Sequence, residues 1–215
     1  PAVTSGSTAD LTYSYFSDAA GSQPLANANA ITAAGTYYIK GTTAEGCSDT
    51  KPVQVTINPA PVLAITSPAA VCSGASVDLT VPAITSGSTA NLVYSYFSDA
   101  AGTKPLANAN AITAAGTYYI KGTTAEGCSD AKPVQVTINP APIVSITSPA
   151  AVCSGTSVDL TLPAITSGST ANLVYSYFSD AAGTQPLANA DAITASDTYY
   201  IQGTDPATGC SSISS

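Results

Sequence analysis

The chain has 215 residues, a formal net charge of −8 and 8% charged residues, against roughly 25% in a typical soluble domain. It contains no His, Trp, Met or Arg, so it lacks an imidazole for acid–base catalysis and a guanidinium for clamping phosphate. The acidic balance leaves no basic patch for nucleic acid or anionic lipid, and no apolar run approaches the ~18 residues of a membrane-spanning helix. We therefore expect no enzyme, no nucleic-acid partner and no membrane insertion in this segment.

An 81-residue repeat organises the sequence. The stretch YSYFSDAAG begins at Tyr13, Tyr94 and Tyr175, which are 81 residues apart each time (94 − 13 and 175 − 94). A period this long is that of a small domain rather than a solenoid unit. We predict three modules, in a fragment of something longer: 1–61, which lacks its N-terminal strands; 62–142, which is complete; and 143–215, which lacks its last strand.

Within the complete copy, the strand signals follow one another in chain order. Ser76–Thr80 alternates apolar and polar residues, and Leu92–Phe97 places Leu and Tyr on one face. Ile112 anchors a short strand, Thr117–Lys121 is β-branched and aromatic, and Val134–Ile138 alternates again. Since no stretch has a helical period, the pattern predicts an all-β fold, in which each 81-residue module closes as a Greek-key β-sandwich.

Tyr118 opens the penultimate strand after Gly-Thr, and its copies are Tyr37 and Tyr199. This position is typical of a tyrosine corner, in which the hydroxyl bonds back to an upstream loop. Tyr119 points to the opposite face of the same strand, where it either packs or binds a sugar or a neighbouring module.

The recurring acids Asp78, Asp99, Glu126 and Asp130 are scattered and form no D-x-D-x-D loop. We interpret them as solvated turn residues and expect no cofactor and no metal. Calcium at a module junction is the alternative, since its ligands are oxygen atoms.

The order VCSG, SVDL, YFSDAAGTKPL, GTYYIKG, GCS and VQVTI resembles the immunoglobulin-like modules of large secreted and cell-surface proteins of Bacteroidetes, of the adhesin or gliding-associated type. The chain departs from those modules where they usually carry Trp-Tyr, because Tyr96-Phe97 stands here. The resemblance implies tandem immunoglobulin-like Greek-key β-sandwich modules with an 81-residue repeat. It also implies an extracellular, surface-exposed adhesin or filament, and it identifies no ligand.

The five cysteines allow two pairings. One closes each module on itself, as the resemblance implies: Cys72 with Cys128 and Cys153 with Cys210, leaving Cys47 unpaired in this fragment. The other crosses the module junctions, with Cys47 bonded to Cys72 and Cys128 to Cys153. We favour the first. Either pairing implies an oxidising, extracellular location.

Three hypotheses for the function remain open. The first is a structural stalk or filament, whose partners are neighbouring modules or copies of itself. The second is a module that binds surface glycans by avidity through its repeated loops. The third is a filament assembled by strand exchange between chains, because the first and last modules lack complementary strands.

Overall fold

The computed structural model describes residues 3–215 and forms two compact units, Pro1–Ala60 and Pro61–Ser215. The first unit is one antiparallel sheet in the order β1-β2-β3. Its strands are β1 (Thr12–Phe16), β2 (Gly35–Thr42) and β3 (Ser48–Val55). The connection from β2 to β3 is a tight hairpin in which the Thr43 amide donates to the carbonyl of Cys47 at 2.9 Å.

The second unit contains the second and third copies of the repeat. The second copy forms the antiparallel sheet β5-β6-β7 and a short parallel pair, β4 with β8, while the third forms the sheet β9-β10-β11. The strands are β4 (Val71–Cys72), β5 (Val93–Phe97), β6 (Gly116–Thr123), β7 (Ser129–Val136), β8 (Ile138–Asn139), β9 (Val174–Phe178), β10 (Tyr200–Thr204) and β11 (Ser211–Ser214). A 3₁₀ turn, Pro82–Ile84, precedes β5.

The core of the second copy lies between its sheet and a layer of less regular backbone. Ile120, Val134 and Val136 come from the sheet, whereas Val77 and Leu79 come from the opposing layer. All five side chains are buried, and Tyr94, Tyr96 and Tyr118 pack around them. Alternation therefore assigns the inward faces correctly, and the predicted all-β architecture is confirmed among the described residues.

The predicted strand Ser76–Thr80 is not a regular strand. Val77 makes an isolated antiparallel bridge with Ile112, and the Leu79 amide bonds to the carbonyl of Ala109. The Asp78 carboxylate accepts from both the amide (2.7 Å) and the hydroxyl (2.6 Å) of Thr80, so it bends the backbone there. Local side-chain hydrogen bonds of this kind compete with a strand ladder.

The opening segment of the second copy, residues 62–73, runs parallel to β7 and β8 from end to end. The amide of Leu63 donates to the Asp130 carboxylate at the start of β7, at 3.2 Å. Further along, the hydroxyl of Ser67 accepts from the amide of Gln135, and Cys72 lies opposite Asn139 in the β4–β8 pair. Sequence periodicity carries no signal for this long-range pairing.

Gly122 in β6 makes room for that segment. A Cβ atom built on this buried glycine would lie 2.7 Å from Leu92 Cδ1 and 3.3 Å from Leu63 Cδ1. The absence of a side chain at position 122 thus permits the close approach of two leucines.

We predict that Gly122→Ala lowers the free energy of unfolding of the second unit by about 1 kcal/mol. Overpacking costs about 1–3 kcal/mol, and the reduced entropy of the unfolded chain offsets part of that cost. Chemical denaturation measures the change. In a Leu92→Ala background the cost should largely vanish, and an unchanged cost there would show that the leucine contact is not its source.

Candidate functional site

The course of residues 62–73 defines two ends of the second copy, which we call its poles. The N-terminal pole contains Leu63, Asp130 and the hairpin cysteine, Cys128. The C-terminal pole contains β4 and β8, with Cys72 beside Asn139. The chain leaves the second copy at its C-terminal pole through Asn139–Pro142 and enters the third.

A disulfide joins the second copy to the third. Cys72, at the C-terminal pole of the second copy, is bonded to Cys210, the hairpin cysteine of the third, with a Cα–Cα distance of 5.5 Å. Cys210 is completely buried. Cys47 and Cys153 are exposed free thiols, and Cys128 is half-buried.

This bond corrects the pairing favoured from the sequence. Cys72 is not bonded to Cys128, and Cys210 is not bonded to Cys153; the rival bond between Cys47 and Cys72 is also wrong. The reason is the parallel course of residues 63–72 beside residues 130–139. Nine extended steps at about 3.3 Å place Cys72 about 30 Å from the pole that carries Cys128, whereas a disulfide requires Cα atoms within about 7 Å.

Ser73 fixes the linker at the same junction. Its amide donates to the carbonyl of Asn139 at 2.8 Å, and its hydroxyl accepts from the amide of Ala141 at 3.0 Å. Adjacent residues of the VCSG motif therefore make two different ties: Ser73 holds the connecting chain, and Cys72 holds the hairpin of the next copy. The sequence signals missed this arrangement, because neither partner is local to the motif.

The candidate corner tyrosines make the same contact in all three copies. The hydroxyls of Tyr37 and Tyr118 each donate to an alanine carbonyl four residues upstream, at 3.0 Å, and that of Tyr199 does so at 3.1 Å. The acceptors are Ala33, Ala114 and Ala195. Each bond ties the start of a central strand to the loop that precedes it.

An aspartate organises the loop after the first aromatic strand of each copy. In the second copy the Asp99 carboxylate accepts from the Thr103 hydroxyl at 2.7 Å and from the amides of Thr103 and Lys104. The hydroxyl bond is the largest cause that holds the pKa of Asp99 below its ordinary value of 3.8, and the amides add to it. Asp18 and Asp180 do the same in the other copies, with lowered pKa values.

Two of the remaining recurrent acids, Asp78 and Asp130, also have hydrogen-bond partners, whereas Glu126 is exposed. Asp78 caps its own turn, and Asp130 holds Leu63 and faces Lys132 at 3.9 Å. Among residues 3–215, no group of three or more Asp, Glu or Cys side chains could hold a metal ion. Calcium independence stays a prediction.

Two grooves are lined by residues whose counterparts belong to the core of the second copy. The groove of the first unit measures about 650 Å³ and is lined by Leu25, Ile31, Tyr37 and Val53. Their counterparts 81 residues later surround Val77 and Leu79. In the third copy a groove of about 620 Å³ is lined by Leu160, Ile165 and Ile201, whose counterparts lie beneath Val134 and Val136. The groove of the first unit corresponds to the place that Val77 and Leu79 fill in the second copy, and the groove of the third copy to the place of Val134 and Val136 of β7.

The fold and the repeated geometry define a protein built from immunoglobulin-like modules. Residues 2–59 and 60–140 each match the family described as Ig-like domain, CHU_C associated. Because these segments span more than half of the chain, it belongs to that family, as the resemblance to repeat modules of Bacteroidetes-type surface proteins predicted. No curated protein sequence matches the chain.

Domains of this family occur in extracellular proteins, and the immunoglobulin-like fold is typically non-catalytic. Across the part of the chain that the structure describes, there is no helix long and apolar enough to cross a membrane.

We predict that Tyr118→Phe lowers the free energy of unfolding by about 1 kcal/mol, because the hydroxyl bond to Ala114 is lost. Tyr119→Phe, on the opposite face of the same strand, is the matched control and should change stability less. Equal effects of the two substitutions in thermal or urea unfolding would contradict a special role for the corner bond.

We also predict an acid-dependent contribution from Asp99. Since its pKa is lower in the folded state than when unfolded, its contribution is complete above pH 3.8 and is lost as the pH falls through the folded-state value. Asp99→Asn should therefore be less stable at neutral pH and lose less stability on acidification.

The matched control for Asp99→Asn is Asp191→Asn, which makes the same charge change at a position where the second copy already has Asn110. Urea unfolding at neutral pH and at about pH 3 gives the comparison. An identical loss of stability in wild type and Asp99→Asn would contradict this account of the loop.

Proposed function

We propose that this chain is a stretch of the stalk of a long extracellular surface adhesin or fibre, which projects or connects and does not catalyse. The observation that carries the proposal is the bond from Cys72 to Cys210, which fastens one copy to the next. Near-identity of the copies supports it, because residues 1–61 and 82–142 differ at only six positions. Repetition with so little variation suits a spacer whose task is the same at every position.

A stalk must transmit tension, and the junction bond restricts how far this chain can extend. Cys72 and Cys210 are separated by 138 residues in the sequence, so the chain between them cannot be pulled out while the bond is intact. Load then passes from the C-terminal pole of the second copy to the N-terminal pole of the third through a covalent bond. Folded modules inside the closed loop are shielded from that load.

We predict the outcome of single-molecule pulling from the two chain ends. Reduction should add about 480 Å of contour length, since 138 residues at about 3.5 Å each become free to extend. Cys72→Ser should show the longer extension without a reductant, and Cys153→Ser should match the oxidised wild type. An unchanged contour length on reduction would count against a load-bearing junction.

Strand exchange between chains is a second candidate, and the groove of the first unit favours it. In the second copy, the place that corresponds to this groove is occupied by Val77 and Leu79 of the SVDLT segment. An added strand of that sequence would contact Leu25, Ile31 and Val53, with its apolar side chains at alternate positions. The occupant we propose is therefore an SVDLT segment of another copy.

A synthetic peptide with the sequence of residues 74–81 tests this candidate. It should bind the chain and raise the melting temperature of the first unit, because filling the groove buries apolar surface. A peptide in which the counterparts of Val77 and Leu79 are Ser is the matched control. If both peptides bind equally well, or if neither binds, the groove does not recognise this segment.

A further inference from the structure

Two exposed cysteines occupy positions equivalent to those of the disulfide between the second and third copies. Cys153 stands 81 residues after Cys72, in the VCSG motif of the third copy, and it is an exposed thiol. Cys47 is the hairpin cysteine of the first copy, equivalent to Cys210, and it is also exposed. These two exposed cysteines are thus equivalent to the two partners of the disulfide: Cys153 to Cys72, and Cys47 to Cys210.

The loop around Cys153 already has the shape of the loop around Cys72. In the bonded copy, the amide of Ala75 donates to the Cys72 carbonyl at 3.0 Å, and Gly74 has φ +94°. In the third copy, the amide of Thr156 donates to the Cys153 carbonyl at 3.1 Å, and Gly155 has φ +90°. Cys153 is therefore presented on the same turn as its bonded counterpart.

The hairpin of Cys47 likewise matches that of Cys210. The Thr43 amide donates to the Cys47 carbonyl at 2.9 Å, and the Asp205 amide donates to the Cys210 carbonyl at 2.9 Å. The additional residue of the third hairpin lies inside the loop, before the cysteine. The hairpins differ in burial: Cys210 is fully buried and bonded to Cys72 of the preceding copy, whereas Cys47 is exposed.

We propose that Cys153 and Cys47 are covalent attachment sites for further copies of this repeat. Cys153 bonds to the hairpin cysteine of the copy that follows it, and Cys47 bonds to the VCSG cysteine of a preceding copy. Every VCSG cysteine then clamps the next module, and the disulfides form a continuous series along the array. The inference deepens the proposed stalk function and rests on it for its biological role.

The bond forms by thiol–disulfide exchange with an external disulfide such as oxidised glutathione. One cysteine thiolate attacks that disulfide and releases a glutathione thiol; the second thiolate then attacks the mixed disulfide and releases another. One protein Sγ–Sγ bond replaces the glutathione disulfide, and the two electrons and two protons lost by the cysteines appear on two glutathione thiols.

The experiment extends the full chain by one copy. Residues 134–215 are appended after Ser215, which continues the last strand in register and adds a fourth hairpin. In the appended copy alone, the VCSG cysteine is replaced by Ser and the Ser that follows the hairpin cysteine by Thr, so that the appended hairpin peptide differs in mass from that of Cys210. The protein is oxidised with a glutathione couple, its thiols are alkylated, and its disulfides are mapped by mass spectrometry without reduction. We expect a peptide pair that joins Cys153 to the appended hairpin cysteine, alongside the pair Cys72–Cys210.

Two results would overturn the proposal: a bond from Cys153 to Cys210, or alkylated Cys153 in molecules that contain the bond Cys72–Cys210. In the Cys153→Ser control, the appended hairpin cysteine should become fully alkylated. Because the readout is a bond and not extension under load, failure here leaves the stalk proposal standing, and failure of the pulling prediction leaves this bond testable.

A second arm distinguishes copies in one polypeptide from copies in separate chains. A mixture of Cys47→Ser and Cys153→Ser chains should give one covalent dimer of twice 21.2 kDa, through Cys153 of one chain and Cys47 of the other. If the mixture stays monomeric while the extended protein forms its bond, the linkage occurs only between copies within one polypeptide. Dimers joined through two identical cysteines would count against recognition between the poles.

Discussion

The parallel course of residues 62–73 beside the last strands is the constraint on which the rest of this structure depends. It carries the chain from the N-terminal pole, where Leu63 meets Asp130, to the C-terminal pole, where Cys72 lies beside Asn139. That displacement places the two recurring cysteines of one copy, the VCSG cysteine and the hairpin cysteine, at opposite ends of it. A cysteine at a pole can reach only a neighbouring copy, so a bond within the copy is excluded by geometry.

Packing and hydrogen bonds together hold the opening segment and the loops of the second copy in place. Leu63 reaches its place because Gly122 carries no side chain, and the Asp130 carboxylate then fixes its amide. The charge-assisted hydrogen bonds of Asp99 and the hydroxyl bond of Tyr118 hold the loops that flank the central strand. With few charges and small side chains, the module depends on many local ties of this kind around one compact core.

The sequence predicts what is local or periodic and misses what is distant. Alternation in SVDLT and VQVTI identifies Val77, Leu79, Val134 and Val136 as inward-facing, and all four are buried. The repeat period predicts a string of small modules, and the resemblance carried by the order of the motifs predicts their immunoglobulin-like class. The regular strand at Ser76–Thr80 fails because Asp78 bonds to Thr80, a local competition that alternation does not register.

The disulfide pairing could not be obtained from spacing, because spacing does not show which pole each cysteine occupies. Position along the chain suggests that Cys72 and Cys128 bracket a module and close it. Only the three-dimensional course of the opening segment shows that Cys72 lies about 30 Å from the pole that carries Cys128. With its cysteines at opposite poles, a copy forms a disulfide with its neighbour and not within itself.

Disulfide mapping of the purified, oxidised 215-residue chain tests the central claim most directly. Free thiols are alkylated, the chain is cleaved without reduction, and the linked peptides are identified by mass spectrometry before and after reduction. The account predicts one dominant pair that joins Cys72 to Cys210. A dominant pair that joins Cys72 to Cys128 would contradict the account, since it would place both cysteines at the same pole.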